Sequence, residues 1–241
     1  PRARDACEKR RPVASALSIV ACLAGIDSVT GKARNAYADL LTAFEQNSPG
    51  DPENRQWMLT RLGELAIRAG EAPRAERHFQ DAIATGVIDG YVLAAYADLL
   101  LDQQRYREVI ALLRDWVRSD VLLLRLAIAE NALGTADAKA HVAALADRYH
   151  DSALRGDSLH MADEARFELI FRNKPARAVE IALENWAVLQ REPKDVRILL
   201  EAAVAAKNPA AARPALEWLR QNRYEEARFQ ELGRVLEQMA P

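Results

Sequence analysis

The stretch RLGELAIRAGEAPRAERHFQDAI, residues 61–83, decides the fold. Leu62-Gly63 opens it, Gly70 divides it, and Ala75, Phe79 and Ala82-Ile83 follow at helical intervals. Read at the helical period, these positions give two apolar-striped helices, broken at a residue that accepts the left-handed conformation common at helix ends. Thirty-four positions on, the pattern returns as Tyr96-Ala97, Leu100, Gln104, Tyr106, Glu108-Val109 and Leu113. Arg166 and Leu200 are again 34 apart, as are Ala178 and Ala212, with Asn173 and Lys207 at the intervening turns. A looser unit lies between (Val121–Leu133, Gly134, Ala138–Tyr149), and Ser18, Gly31, Ala36 and Leu40 form another at the front.

A fixed period of this length marks helix pairs that cannot bury their apolar stripes alone and complete a core by stacking. The residue pattern resembles the tetratricopeptide repeat. The expected fold is therefore all-α, a right-handed superhelical solenoid of antiparallel helix pairs forming a single domain over 1–241. Approximate repeats are 13–46, 56–89, 90–119, 120–150, 159–192 and 193–223, with a capping helix at 225–239 that places Leu232, Val235, Leu236 and Met239 on one stripe. Gly63, Ala75, Ala97 and Ala178 are the small residues expected at close helix approaches; Leu62, Phe79, Leu113 and Leu216 fill the gaps. Asn208-Pro209 reads as the N-cap and first residue of a helix Pro209–Arg220, in which Pro214 would remove a backbone bond and bend the chain. Pro193 reads as ending one helix before Asp195 starts the next.

The composition agrees. Of 241 residues, 50% are hydrophobic but only 6% aromatic, and Ala is abundant, which suits helices packed through small side chains. The net charge is −2 with both signs interleaved, so no basic stripe points to nucleic acid. Lys9-Arg10-Arg11 reads as a solvated segment. No run approaches the roughly 18 apolar residues needed to span a membrane. His78, His141, His150 and His160 lack metal-ligand spacing, and no phosphate loop, nucleophile elbow or zinc-protease motif is present. Neither cofactor nor metal is expected, nor is an enzyme. The chain starts at Pro1 without Met, which reads as a trimmed or processed product.

Between about Val121 and Leu219, the segments Glu164-Ala165-Arg166-Phe167, Glu184-Asn185-Trp186, Glu192-Pro193-Lys194-Asp195 and Leu199-Leu200-Glu201-Ala202-Ala203 resemble a group of uncharacterised bacterial tetratricopeptide-like proteins, many of them exported. The resemblance implies a fold and a periplasmic or otherwise extracytoplasmic home; it implies no activity. A cytoplasmic home is the alternative.

Cys7 and Cys22 are the two cysteines. On one straight helix they would stand roughly 22 Å apart, beyond the reach of a disulfide. Pro12 interrupts such a helix, and in repeat register the two residues fall on antiparallel neighbours, where a bond fits. A disulfide and two buried free thiols both remain open; the export of look-alikes favours the bond.

In a tetratricopeptide superhelix the first helix of each pair lines the concave face. Mapping its inward positions gives Trp57, Glu64 and Arg68, then Tyr91, Asp98 and Asp102, then Asn131, Phe167 and Phe171, and finally Arg197. Aromatics and Arg usually dominate interface energies, although inter-repeat packing would also account for the aromatics. Glu64 and Asp98 stand where a chaperone-tail type of repeat domain would need basic residues, so that carboxylate clamp is not reproduced. The acids point instead to a ligand with apolar and basic residues. The expected function is a non-catalytic scaffold holding a protein or peptide. Self-assembly, for example as a homodimer, is the alternative, and an enzyme or small-molecule carrier is a more distant one.

Overall fold

The structure, a computed structural model, describes residues 2–157, 160–188 and 192–239. The described residues form fourteen helices and no strand: α1 (Arg2–Glu8), α2 (Ala16–Ser28), α3 (Ala33–Gln46), α4 (Pro52–Ala69), α5 (Ala72–Ala84), α6 (Gly90–Asp102), α7 (Tyr106–Leu113), α8 (Asp120–Leu133), α9 (Ala138–Arg155), α10 (Met161–Ile170), α11 (Pro175–Val188), α12 (Pro193–Ala205), α13 (Arg213–Asn222) and α14 (Ala227–Met239). From α2 to α13 they fall into six pairs. The expected start of the fifth repeat, at 159, lies outside the described residues.

Local chemistry sets the helix ends. Asp51 caps α4 by accepting from the N–H of Asn54 at 2.9 Å, with Pro52 at the first helical position. The turn between the helices of a pair carries a residue with positive φ, and it recurs with the repeat. Gly70 (φ 82°) is followed 34 positions later by Gln104 (φ 58°), and Asn173 (φ 50°) by Lys207 (φ 51°). Repeat geometry overrides side-chain preference at Gln104 and Lys207.

Two helix ends differ from expectation. Pro193 opens α12 rather than closing a helix: Glu192 and Asp195 form a reciprocal capping box around it. The helix expected from Pro209 begins at Arg213, after three-residue turns in which Ala211, Ala212 and Arg213 donate to Asn208, Pro209 and Ala210. Pro214 thus lies in the first helical turn, where its missing N–H breaks no helical bond and no bend is imposed. Asn208 is therefore not the cap of this helix; its side chain accepts from Ala211 N–H at 3.2 Å within the first of these turns.

The chain divides into two compact units. One comprises Pro1–Tyr96 and Trp218–Ala227, the other Ala97–Glu217 and Arg228–Pro241. In the first, α2 packs on α3, α3 on α4 and α4 on α5, while α2 also meets α4. The tightest approach is between α4 and α5: Gly63 lies under the Phe79 ring, and a Cβ there would stand 2.5 Å from the ring edge. The C-terminal segment of this unit packs on its front. Tyr224 is buried, its ring 5.4 Å from Trp218, and Arg223 lies against Gly31, whose φ of 80° would itself disfavour a side chain.

In the second unit α7 packs on α8, α8 on α9, α10 on α11 and α11 on α12, with α8, α10 and α12 meeting as a layer of first helices. Ala178, Val179 and Ala202 form one of its close-packed centres, flanked by Leu169 and Leu183. Phe229 and Leu236 of α14 are buried, and Leu232 and Val235 half-buried, so the last helix turns one stripe inward.

Candidate functional site

The expected groove residues divide between the units. In the first, Trp57, Arg61 and Glu64 lie on one face of α4, spaced four and three residues apart. The Arg61 guanidinium sits over the Trp57 ring, 5.5 Å from its centroid, and its Nη1 donates to Glu64 Oε2 at 2.9 Å. The other Glu64 oxygen accepts from the Tyr91 hydroxyl. Tyr91 is held at the start of α6 by its backbone N–H, which donates to Asp89 Oδ1 at 2.8 Å. Trp57 and Tyr91 nevertheless remain 44% and 53% exposed. The result is a surface of two open aromatic side chains fixed by a shared polar chain.

Arg68 follows Glu64 by one turn but is turned to the interior. Its Nη1 donates to the buried Ser28 Oγ at 2.7 Å. Burial works against its charge, but Tyr224, Glu64 and Glu226 more than compensate and raise its pKa. Burial likewise pushes the Tyr224 phenol upward, with Glu226, which accepts its hydroxyl at 2.9 Å, adding to the effect. Arg68 is therefore engaged inside the fold and not held out to a ligand.

In the second unit the acids are paired. Arg125 of α8 donates to Asp98 Oδ2 at 2.8 Å, to Asp163 Oδ1 at 3.2 Å and to the Val121 carbonyl at 2.8 Å. Arg166 of α10 donates to the other Asp98 oxygen at 2.6 Å. Arg197 of α12 reaches Asp102 at 2.6 Å and Glu201 at 2.9 Å; Arg228 of α14 binds the same two carboxylates, meeting Glu201 at 2.7 Å. Burial alone would raise the Asp98 pKa, but Arg125, Arg166 and Arg197 hold it well below the usual carboxylate range. Glu201 is lowered in the same way, burial being outweighed by Arg197, Arg166 and Arg228. Arg125 and Arg197 are raised in turn: burial opposes their charge, and their carboxylate partners overcome it.

Glu64, Asp98 and Asp102 each already face an arginine of the same chain, so they give no reason for basic residues in a partner. Phe167 is also placed differently from a groove wall: at 1% exposure it belongs to the core, 5.3 Å from Tyr149 and 5.4 Å from the half-buried Phe171. Asn131 is exposed near the end of α8. Beside the Arg197–Asp102 pair lies a groove of about 410 Å³ with an apolar lining of Leu101, Tyr106, Ile128, Leu169, Ile170 and Leu232.

Arg61, Arg125, Arg166 and Arg228 are absent from the groove mapping, yet they organise both surfaces. The signal available was opposite charge on the first helices of different repeats; which charges would meet depends on side-chain reach. Two of the histidines make local contacts: His141 Nδ1 lies 2.6 Å from Glu130 Oε2 and His78 Nε2 lies 2.9 Å from the Tyr37 hydroxyl. Among the described residues no group of three or more His, Cys, Asp or Glu could hold a metal ion, and no helix is long and apolar enough to cross a membrane. Cys7 and Cys22 are joined as a disulfide, their Cα atoms 5.9 Å apart.

No family model matches the chain. No curated protein matches it either. Among solved structures, a tetratricopeptide repeat protein from Parabacteroides merdae is similar in fold, with a TM-score of 0.55 and 15% sequence identity over 97% of this chain and 91% of that one. The fold is thus an all-α helical-repeat solenoid of the tetratricopeptide kind.

Proposed function

We propose that the chain is a non-catalytic repeat domain that holds a protein or peptide on the first-helix face of its first unit. The observation that carries this reading is the pair Trp57 and Tyr91: both are large, exposed and held in place by Arg61 and Glu64. Trp, Tyr and Arg are the side chains that most often dominate binding energy. Holding them in position before binding reduces the ordering cost of association. Since the neighbouring acids are already paired, recognition rests on aromatic contact more than on charge.

The test uses a random-peptide display library selected on the whole oxidised chain, with Trp57→Ala and Tyr91→Ala as parallel baits. Enriched peptides should lose binding to both variants at unchanged thermal midpoints. Peptides that bind wild type and variants alike would put the binding surface elsewhere and overturn the assignment. A second copy of the chain as partner would instead appear as a mass rising with concentration in light scattering. The Cys7–Cys22 bond supports a home outside the reducing cytoplasm, since disulfides persist in oxidising compartments.

A further inference from the structure

We propose that α1 is a redox-releasable segment, held against α2 by the Cys7–Cys22 disulfide and freed when that bond is reduced. The seven residues of α1 read RARDACE, and Cys7, 2% exposed, is the buried one among them. Ala3 and Ala6 are exposed, so the helix contributes almost no apolar side chain to the core. Besides the disulfide and its packing on α2, the helix makes an ion pair between Arg4 and Asp27, and Arg4 remains 42% exposed at its side chain. Such partly exposed pairs contribute little. The segment linking α1 to α2 is closed by local turns: Arg10, Arg11 and Val13 donate to carbonyls three residues back, and Val13 projects into solvent.

The neighbouring helix is built differently. α2 is capped by Ser15, whose hydroxyl accepts from Ser18 N–H at 3.1 Å, and it buries Leu17, Ile19, Ala21 and Ala24. It also packs on α3 and α4. Stability therefore drops sharply between Ala14 and Ala16. On one side the structure depends on one covalent bond; on the other it depends on packing.

The two sulfurs are unequal in access. Cys22 is exposed and Cys7 is not, so a thiolate from a dithiol reductant reaches the Cys22 sulfur first. A mixed disulfide forms there and the Cys7 sulfur leaves as a thiolate, which takes up a proton. The second thiolate of the reductant then displaces the Cys22 sulfur, which is protonated in turn. The reductant leaves as its own disulfide, and the two protein sulfurs have gained its two electrons. α1 then unfolds and separates from α2.

Hydrogen exchange by mass spectrometry on the whole chain, oxidised and after dithiothreitol, tests this. Peptides covering 2–14 should go from slowed to essentially complete exchange on reduction, while those covering 33–46 and 52–84 keep their protection. Cys22→Ser should reproduce the reduced pattern without reductant, and reoxidation of the wild type should restore slow exchange. Arg4→Ala in the oxidised chain should leave 2–14 slowed. Unchanged exchange of 2–14 on reduction would overturn the proposal. So would loss of protection throughout α2 to α5, because the bond would then staple the whole unit and not α1 alone.

Discussion

The carboxylate of Glu225 accepts a hydrogen bond from the backbone N–H of Ala33 at 2.7 Å, across 192 positions of sequence. Ala33 is the first residue of α3, and Lys32 before it provides no side-chain cap. The free N–H groups of a helix start need an acceptor, and an anion there also complements the helix dipole. Glu225 thus does for α3 what Asp51 does locally for α4.

Glu225→Ala should therefore destabilise the chain by about 0.5–2 kcal/mol, the range for a lost N-cap. Glu225→Gln, which keeps an acceptor but removes the charge, should cost less. Urea midpoints at neutral pH check both, with faster amide exchange at the start of α3 as the local sign. Equal midpoints for wild type and Glu225→Ala would remove the cap.

Gly63→Ala tests the register of the repeat. The added methyl would meet the Phe79 ring, three of whose atoms would stand 2.5–2.8 Å away. Overpacking of this kind costs about 1–3 kcal/mol. A lowered denaturation midpoint with unchanged helical content is the expected result.

Lys207→Gly should act in the opposite direction. Lys207 holds φ 51° in the turn before α13. A left-handed residue other than glycine costs roughly 1–2 kcal/mol, and the extra freedom of glycine in the unfolded chain returns about 0.5–1 kcal/mol of that. A net gain of about 0.5–1 kcal/mol follows from these two. Differential scanning calorimetry reads it as a raised midpoint; a midpoint lowered by the entropy of glycine alone would mean that the turn carries no strain.

The buried arginines make stability depend on acid. Asp98 and Glu201 have folded pKa values below their ordinary ones. A depressed carboxylate contributes stability that is complete above its unfolded pKa, about 4, and is lost as pH falls toward the folded value. The contribution of these two carboxylates should hold from pH 7 to 5, and urea midpoints should fall progressively below about pH 4. In Asp98→Asn that acid limb should be shallower, because one contributor is gone; a limb parallel to wild type would contradict the assignment. Arg125→Ala should cost up to about 3–5 kcal/mol, since it takes the arginine from the Asp163 carboxylate and leaves Asp98 with Arg166.

The parts legible in the sequence are those encoded within one repeat. Leu62, Gly63, Ala75 and Phe79 announce their helix pair because each contact lies within some twenty residues. The turn positions Gly70, Gln104, Asn173 and Lys207 mark the period even where the residue suits the turn poorly. Helix starts were read less well, because Pro193 and Pro209 look alike in sequence, while a capping box at one and a series of tight turns at the other decide the outcome. The site was legible as a set of positions and not as chemistry. Asp98 looks like a free acid until Arg125, 27 residues away, and Arg166, 68 away, are seen to reach it. Phe167 looks like an anchor until Tyr149 and Phe171 are found against its ring.

The placement of Trp218–Ala227 in the first unit also fixes an order of events at the ribosome. Repeat arrays can ordinarily gain structure pair by pair as they emerge, since each pair needs only its neighbours. Here α2 and α3 leave the exit tunnel roughly 180 residues before Tyr224 and Glu225, which at 5–20 residues per second is a delay of about ten to forty seconds. Throughout that interval the N–H of Ala33 lacks its acceptor and the site of Tyr224 is unfilled. The nascent first unit must persist in an unfinished state, which makes it a natural client for chaperones during synthesis. A chain released before residue 218 would never finish it.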